Sequence, residues 1–147
     1  MGTENINIKN KKASFEYHFL DSYTAGIVLT GTEIKSVREG KVNIADSYCL
    51  FIDHELWVKN MHIPEYKYGT HYNHEPKRAR KLLLNKRELE KLEGKLKEKG
   101  LTIIATRLFL NDKGRAKLDI ALAKGKKLFD KRQDLKQKDA KRELREY

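Results

Sequence analysis

The chain has 147 residues, 36% of them charged, and its formal net charge is +11. This length is typical of one domain, and the charge favours a polyanion as partner. A single cysteine excludes an internal disulfide and suits a reducing cytoplasm. No apolar run approaches the roughly 20 residues that cross a bilayer, so no membrane partner is expected.

The first 29 residues predict an arm followed by two strands. Residues 1–13 are polar and basic, and we expect them to form a flexible arm. Alternating aromatic residues predict a strand over 15–19, a turn at 21–22 and a second strand over 23–29. Gly26 inside the second strand predicts a bulge or a sharp bend.

The middle of the chain predicts a helical turn and a hairpin. Residues 31–40 suit a short helical turn that ends at Gly40, although their pattern is ambiguous. Residues 48–52 are continuously apolar and residues 55–61 alternate. The two segments therefore predict a hairpin with a tight turn at 53–54.

The clearest helix is predicted over 86–99, where three leucines share one face and Asn85 is placed to cap the first turn. Two strands are predicted after it, over 101–110 and 116–122. About six short strands and one clear helix indicate a mostly β domain. A small closed barrel suits such a domain because closure removes sheet edges.

The composition of the chain changes at Gly125, from partly apolar to mostly charged. Residues 14–124 hold most of the apolar residues and are predicted to form the barrel domain. Residues 125–147 hold nine Lys or Arg and five Asp or Glu, which predicts a basic tail. An isolated helix of this length is marginal in water, so we expect the tail to be unordered until it docks. The spacing of Asp134 and Lys138 would then support a helix.

Residues that could form catalytic or metal sites are few. His71, His74 and Glu75 resemble a metal-ligand set, but histidines three apart converge only on a helix, and a glycine and a proline flank this stretch. Ser47 lacks the glycines of a nucleophile elbow, and Cys49 is expected to pack in a strand. We therefore predict no enzyme activity, no metal and no cofactor.

The densest basic cluster, residues 77–81, lies close in sequence to Tyr66, Tyr68 and Tyr72. Lysine and arginine neutralise phosphates, and exposed rings can stack on unpaired bases. The tyrosines could instead pack internally, and the charges could form a solvated face. We interpret the basic cluster as an RNA contact.

Motifs along essentially the whole chain resemble those of the small protein B (SmpB) family, the bacterial partner of transfer-messenger RNA, also called SsrA RNA. The motifs are Asn10-Lys11-Lys12-Ala13, Ala25-Gly26-Ile27, Gly31-Thr32-Glu33-Ile34-Lys35-Ser36, Asp46-Ser47-Tyr48, Asn60 with His62-Ile63, Asn73-His74-Glu75-Pro76-Lys77-Arg78-Ala79-Arg80-Lys81-Leu82-Leu83-Leu84, and Gly125-Lys126-Lys127 with Asp130-Lys131-Arg132.

This resemblance implies an oligonucleotide-binding-type β-barrel with inserted helices and a charged C-terminal tail. It implies a cytoplasmic monomer that carries transfer-messenger RNA to stalled ribosomes for trans-translation, with the barrel on the tRNA-like domain. The tail would become helical in the empty messenger channel, near the decoding centre of the small subunit. Elongation factor Tu would be an indirect partner through the charged RNA. The alternative is a general single-stranded nucleic-acid-binding barrel.

The basic cluster and the resemblance together assign two sets of residues. The expected RNA contacts are Asn10, Lys11, Lys12, Lys77, Arg78, Arg80, Lys81, Leu83 and Asn85. The expected ribosome contacts of the tail are Gly125, Lys126, Lys127, Phe129, Asp130, Lys131, Arg132, Lys136 and Lys138.

Three of these positions, and Thr24 outside the two sets, leave a choice open. Asn85 could cap the helix instead of contacting RNA, and Leu83 could belong to the core. Thr24 stands where many relatives have Glu, which puts an RNA contact there in doubt. Phe129 stands where His or Tyr is common, so a stacking ring is kept but a hydrogen bond from it is lost.

Overall fold

The structure, a computed structural model, describes residues 6–69, 73–127 and 131–137. Its elements are strand β1 (Asn7–Lys9), helix α1 (Lys11–Glu16), strand β2 (Tyr17–Ile27), helix α2 (Gly31–Arg38), strands β3 (Tyr48–Ile52), β4 (Glu55–Lys59) and β5 (Arg80–Leu83), helix α3 (Lys86–Leu96), and strands β6 (Leu101–Leu110) and β7 (Ala116–Gly125).

Six of the strands close into an antiparallel ring. The order of pairing is β6-β3-β4-β5-β2-β7, and β7 pairs again with β6. Strand β6 is long enough to serve two neighbours on one edge, pairing with β3 at 103–104 and with β1 at 107–109. The closed barrel predicted from the sequence is confirmed.

Alternation along the strands fills the inside of the ring. In β7, Leu118, Ile120 and Leu122 are buried, and they pack with residues of every other strand of the ring. Side chains of a strand point alternately to its two faces, so these apolar positions lie on the core side. Helix α3 adds Leu92, which is fully buried.

The hairpin of β3 and β4 is also confirmed. Tyr48 pairs with Lys59 and Ile52 with Glu55, which leaves a two-residue turn. Asp53 and His54 in that turn have φ values of 50° and 65°. Positive φ at both central residues is what a two-residue type I′ turn requires.

The N-terminal segment differs from its prediction. From residue 7 it is a strand and then a helix, so the prediction of a flexible arm is wrong for these residues. The Asn10 side chain causes the change, because its amide oxygen accepts a hydrogen bond from Ala13 N at 3.1 Å and caps α1. The strand predicted over 15–19 therefore begins at Tyr17.

Strand β2 continues through the predicted turn at 21–22. Ser22 stays paired with Ala121, and the register of β2 against β7 shifts between Phe19 and Asp21. The bulge is therefore at residue 20 rather than at Gly26, which pairs regularly with both β5 and β7. Tertiary pairing with β7 outweighs the local turn preference of Asp and Ser.

Candidate nucleic-acid interface

A buried carboxylate on α2 holds two arginines of the basic cluster. Thr30 caps α2 by accepting a hydrogen bond from Glu33 N, and Glu33 Oε1 accepts one from Thr30 N at 2.8 Å. The other side of the Glu33 carboxylate faces the cluster. Arg78 Nη2 donates to Glu33 Oε1 at 2.6 Å, and Arg80 Nε donates to Glu33 Oε2.

Arg80 is completely buried, as is Glu33. Its remaining donors reach backbone carbonyls, Met61 O at 2.7 Å and Pro76 O at 3.0 Å. The side chain of Arg80 therefore joins α2 to the segment that leads into β5. Contact of Arg80 with RNA stays a prediction, and the burial of its side chain counts against it.

Burial and pairing act in opposite directions on the charges of this network. Burial disfavours the charged carboxylate, but hydrogen bonds from Arg78, from the Thr30 backbone and from Arg80 outweigh it, so the pKa of Glu33 lies below its usual value. Burial lowers the pKa of Arg80, and Glu33 offsets part of that effect. Both groups are charged at neutral pH because a guanidinium does not deprotonate in proteins.

The other members of the basic cluster are more accessible. Arg78 keeps 36% of its side chain exposed beside Glu33. Lys81 forms an ion pair with Glu55 at the surface. Lys77 is exposed and forms no ion pair with any residue that the structure describes. The cluster thus offers one uncommitted cation instead of the four that the sequence predicts.

In the Asn-Lys-Lys motif, the asparagine is buried and the two lysines are exposed. Asn10 is only 7% exposed, and its amide donates to Ala105 O at 2.8 Å and to Ile44 O at 3.2 Å. Asn10 therefore fixes α1 against β6, and contact of this residue with RNA stays a prediction. Lys11 and Lys12 are exposed, and Lys12 pairs with Asp46 at 3.0 Å.

The two open choices at the end of β5 have structural answers. Asn85 Oδ1 accepts a hydrogen bond from Glu88 N at 2.8 Å, so Asn85 caps α3. Its exposed position leaves the rest of the amide accessible. Leu83 is 52% exposed, so it is not a core residue and can contact a partner.

The tail begins with contacts to the barrel. Gly125 ends β7 and pairs with Tyr17. Lys126 N donates to Glu16 O at 2.8 Å, and its ammonium donates to Ser14 O at 3.0 Å and pairs with Asp134. The first residue of the tail beyond Gly125 is therefore in contact with the barrel through α1.

Residues 131–137 of the tail are helical. The Lys131 ammonium lies 5.9 Å from the centre of the Phe15 ring, on α1. Lys127, Arg132 and Lys136 have exposed side chains. The remaining predicted tail contacts, Phe129, Asp130 and Lys138, lie outside the described residues.

The candidate catalytic and metal residues have structural roles. His74 is 7% exposed and lies between Thr32 Oγ1 at 2.9 Å and Ile63 O at 2.8 Å. Ser47 donates to Ile44 O, and burial raises the pKa of the Cys49 thiol. His71 lies outside the described residues. Within the part of the chain that is described, no group of three His, Cys, Asp or Glu side chains could hold a metal ion.

Two of the three tyrosines near the basic cluster are described, and Tyr72 is not. Tyr66 and Tyr68 pack edge to face with ring centres 5.7 Å apart, and Tyr68 is 73% exposed. Lys35 and Lys67 lie over the two rings. Tyr68 is thus the ring that remains available for stacking.

Among the described helices, none has the length and apolar character needed to cross a membrane.

Thr24, which departs from the family pattern, faces a carboxylate on the neighbouring strand. Its hydroxyl donates to Asp119 Oδ1 at 2.6 Å, and Arg107 Nε donates to Asp119 Oδ2 at 2.9 Å. Thr24 and Asp119 are directly paired between β2 and β7. A carboxylate is therefore present at this position of the surface, although strand β7 provides it.

Four surface cations that the sequence reasoning missed surround a groove beside Leu83. Three of them are spaced two apart in sequence, from the turn after β6 into β7. The fourth comes from α2 and shares no local pattern with them. They are Arg38, Lys113, Arg115 and Lys117.

The closed ring, the inserted helices and the exposed cations define a small β-barrel protein of the oligonucleotide-binding type. The family model described as SmpB protein matches residues 7–147. The chain belongs to the SmpB protein family.

Named relatives agree with that assignment. The SsrA-binding protein of Phocaeicola vulgatus is 65% identical over 95% of this chain and 93% of its own length. The SsrA-binding protein of Christiangramia forsetii is 63% identical over 95% and 88%. A chain of the solved structure "tmRNA-SmpB: a journey to the center of the bacterial ribosome" has a TM-score of 0.71 and 44% identity, covering 84% of this chain and 86% of that one.

Proposed function

We propose that this protein binds transfer-messenger RNA and delivers it to stalled bacterial ribosomes in trans-translation. The observation that carries the proposal is the family match over residues 7–147. Relatives that are similar over almost the whole chain are SsrA-binding proteins, and a chain of similar structure comes from a complex of SmpB with this RNA. A protein that acts on the bacterial ribosome works in the cytoplasm.

The proposed mechanism is binding, without bond making or breaking by the protein. The barrel supplies a rigid platform, because the ion pairs of Glu33 and the Asn10 hydrogen bonds lock its loops and helices to the sheet. Exposed cations on that platform, such as Lys11 and Lys77, attract RNA phosphates. Leu83 supplies an exposed apolar contact for a base or a ribose.

A comparison of four RNAs tests the binding step. Transfer-messenger RNA, its isolated tRNA-like domain, an elongator tRNA and poly-U are titrated with the full-length protein in a gel-shift assay at several salt concentrations. We expect transfer-messenger RNA and its tRNA-like domain to bind with similar affinity and both to exceed poly-U by at least tenfold. Equal affinity for poly-U would replace the proposal with a general single-strand-binding barrel.

We also propose that the tail reports an empty messenger channel near the decoding centre. Its support is the density of basic residues after Gly125 and the helix over 131–137, whose exposed cations Arg132 and Lys136 can meet ribosomal RNA.

The triple variant Asp130→Ala, Lys131→Ala and Arg132→Ala tests this role. It keeps the length of the tail, so loss of function would be due to the side chains. We expect unchanged affinity for transfer-messenger RNA and a loss of peptide tagging on stalled ribosomes in a purified translation system. Normal tagging by the triple variant would reduce this segment to a linker.

A further inference from the structure

The segment between β4 and β5 displays two tyrosine rings. Tyr66 and Tyr68 pack edge to face, with ring centres 5.7 Å apart and ring planes at 70° to each other. Tyr68 is 73% exposed, the highest value among the large apolar and aromatic side chains that the structure describes. We call residues 65–69, which carry both rings, the tyrosine hook.

One asparagine holds the tyrosine hook in shape. Asn73 Oδ1 accepts a hydrogen bond from Tyr66 N at 3.2 Å, and Asn73 Nδ2 donates to Tyr66 O at 2.8 Å. Gly69 N donates to the same carbonyl oxygen at 2.9 Å, which closes the turn. A Cβ atom on Gly69 would overlap Asn73 Nδ2, so this close approach requires glycine. The conformation of the hook is therefore fixed by specific contacts.

The residues on both sides of the hook are anchored to α2 and to the core. Before the hook, Ser36 Oγ on α2 donates to Pro64 O at 2.7 Å. After the hook, the ring of His74 lies between Thr32 Oγ1 of α2 and Ile63 O. A ring presented by an anchored loop loses little further freedom when it binds a partner, and this favours affinity.

Two lysines flank the rings. Lys35 Nζ on α2 lies 5.5 Å from the centre of the Tyr66 ring, and Lys67 Nζ lies 5.6 Å from the centre of the Tyr68 ring. Both lysines are exposed, and neither forms an ion pair with a residue in the described ranges.

An exposed ring beside unpaired cations fits an unpaired nucleotide. Its base can stack on the ring while its phosphates meet the lysines. A double-helical segment would offer the phosphates but would keep its base faces stacked. An acidic peptide would offer the negative charge but no base.

We propose that the tyrosine hook binds an unpaired base, which stacks on Tyr68 while Lys35 and Lys67 contact the flanking phosphates. Tyr66 supports the ring of Tyr68, and Asn73 is a positioning residue. The inference rests on the proposed function and adds a site to it. The base can belong to transfer-messenger RNA or to the RNA of the ribosome, and the experiment distinguishes these two sources.

Two assays locate the base. The affinity for transfer-messenger RNA is measured by fluorescence anisotropy, and the binding of the preassembled complex to stalled ribosomes is measured by sedimentation. Tyr68→Ala should weaken one of these steps by about tenfold, because it removes the stacking ring. A loss in the first assay assigns the base to transfer-messenger RNA, and a loss in the second assay alone assigns it to the ribosome. Wild-type binding in both assays would overturn the proposal.

Tyr68→Phe is the matched control, because it keeps the stacking face and removes only the hydroxyl group. It should bind within about twofold of the wild type in both assays. A loss as large as that of Tyr68→Ala would mean that the hydroxyl group makes the contact, which contradicts stacking. The melting temperature of every variant is compared with that of the wild type.

Asn73→Ala tests the positioning of the ring. It leaves Tyr68 in place but removes the hydrogen bonds that fix Tyr66. It should weaken the same step as Tyr68→Ala, and the double variant should bind no more weakly than Tyr68→Ala, because Asn73 acts only through the ring. Additive losses would contradict a positioning role.

Photo-cross-linking identifies the partner of the hook. The photoreactive analogue p-benzoylphenylalanine at position 68 of the full-length protein should cross-link to an unpaired nucleotide, which primer extension locates. Cross-links to protein alone would overturn the proposal and identify a protein-docking site. Failure of the wild type to bind transfer-messenger RNA would remove the proposed function as well, whereas normal wild-type binding without any effect of the variants would remove only the hook.

Discussion

Replacing Glu33 with Gln should destabilise the barrel far more than a surface substitution does. Glutamine keeps the size of the side chain and can still accept the hydrogen bond from Thr30 N. It removes the negative charge, however, and leaves the fully buried Arg80 with backbone carbonyls as its only partners. Removing one partner of a buried ion pair typically costs about 3–5 kcal/mol. That is a large part of the free energy of unfolding of such a domain, which is about 5 to 15 kcal/mol.

Urea unfolding followed by circular dichroism measures the effect. The midpoint should fall while the m-value stays constant, because the same surface is exposed on unfolding. Arg78→Ala is the matched control, since it removes the half-exposed partner of the same carboxylate and should cost only about 1 kcal/mol. The double variant Glu33→Gln/Arg80→Met should be more stable than Glu33→Gln, because it leaves no buried charge.

The pH dependence gives a second check on the same network. The pKa of Glu33 is lower in the folded chain than in the unfolded one, so its ionised form favours folding. This contribution is complete above the unfolded pKa of about 4.3 and is lost as the pH falls through the folded pKa. The stability of Glu33→Gln should therefore fall less steeply between pH 5 and pH 3. A loss below about 1 kcal/mol at pH 7, or an identical pH profile, would refute this reasoning.

Three further changes test the packing. Leu92→Ala should lower the free energy of unfolding in urea by about 2–5 kcal/mol. Leu89→Ala should lower it clearly less, because only Leu92 is fully buried. Equal losses would mean that α3 packs in a different orientation. Asn10→Ala should cost about 2 kcal/mol by removing a helix cap and two buried hydrogen bonds, while the RNA affinity of the folded protein changes less than twofold in gel shifts. Truncation after Lys127 should leave the melting temperature unchanged. Truncation after Lys124 should lower it by about 2–4 °C, because the contacts to β2 and α1 are lost. Equal melting temperatures of the two truncated proteins would mean that these contacts do not contribute to stability.

Local signals account for the elements that the sequence predicts correctly. The β3–β4 hairpin and α3 each depend on residues that are close in sequence, namely an apolar alternation around a tight turn and a capped helix with a leucine face. Helix α1 was missed because the amide of Asn10 acts through Ile44 and Ala105, which lie 34 and 95 residues away. A local sequence pattern cannot indicate such contacts. The aromatic alternation over 15–19 instead favoured a strand.

The direction in which each side chain of the basic cluster points could not be predicted from the sequence, for the same reason. A run of Lys and Arg indicates a basic surface only if each side chain points outward. Arg80 points inward because a carboxylate 47 residues earlier lies buried beneath it. Lys113, Arg115 and Lys117 are spaced two apart, but only Lys117 lies in a strand. Their position beside Leu83 follows only from the closure of the barrel.

Closure of the ring also sets the order in which the protein can become functional during its own synthesis. Thr24 of β2 and Asp119 of β7 meet across 95 residues of chain, so one edge of β2 has no partner until the seventh strand has been made. Such long-range pairing is slow and leaves sheet edges open for a time. The groove needs Gly26 from the second strand and Lys117 from the seventh. A chain whose translation stops before residue 117 therefore lacks the strand that closes the barrel between β2 and β6.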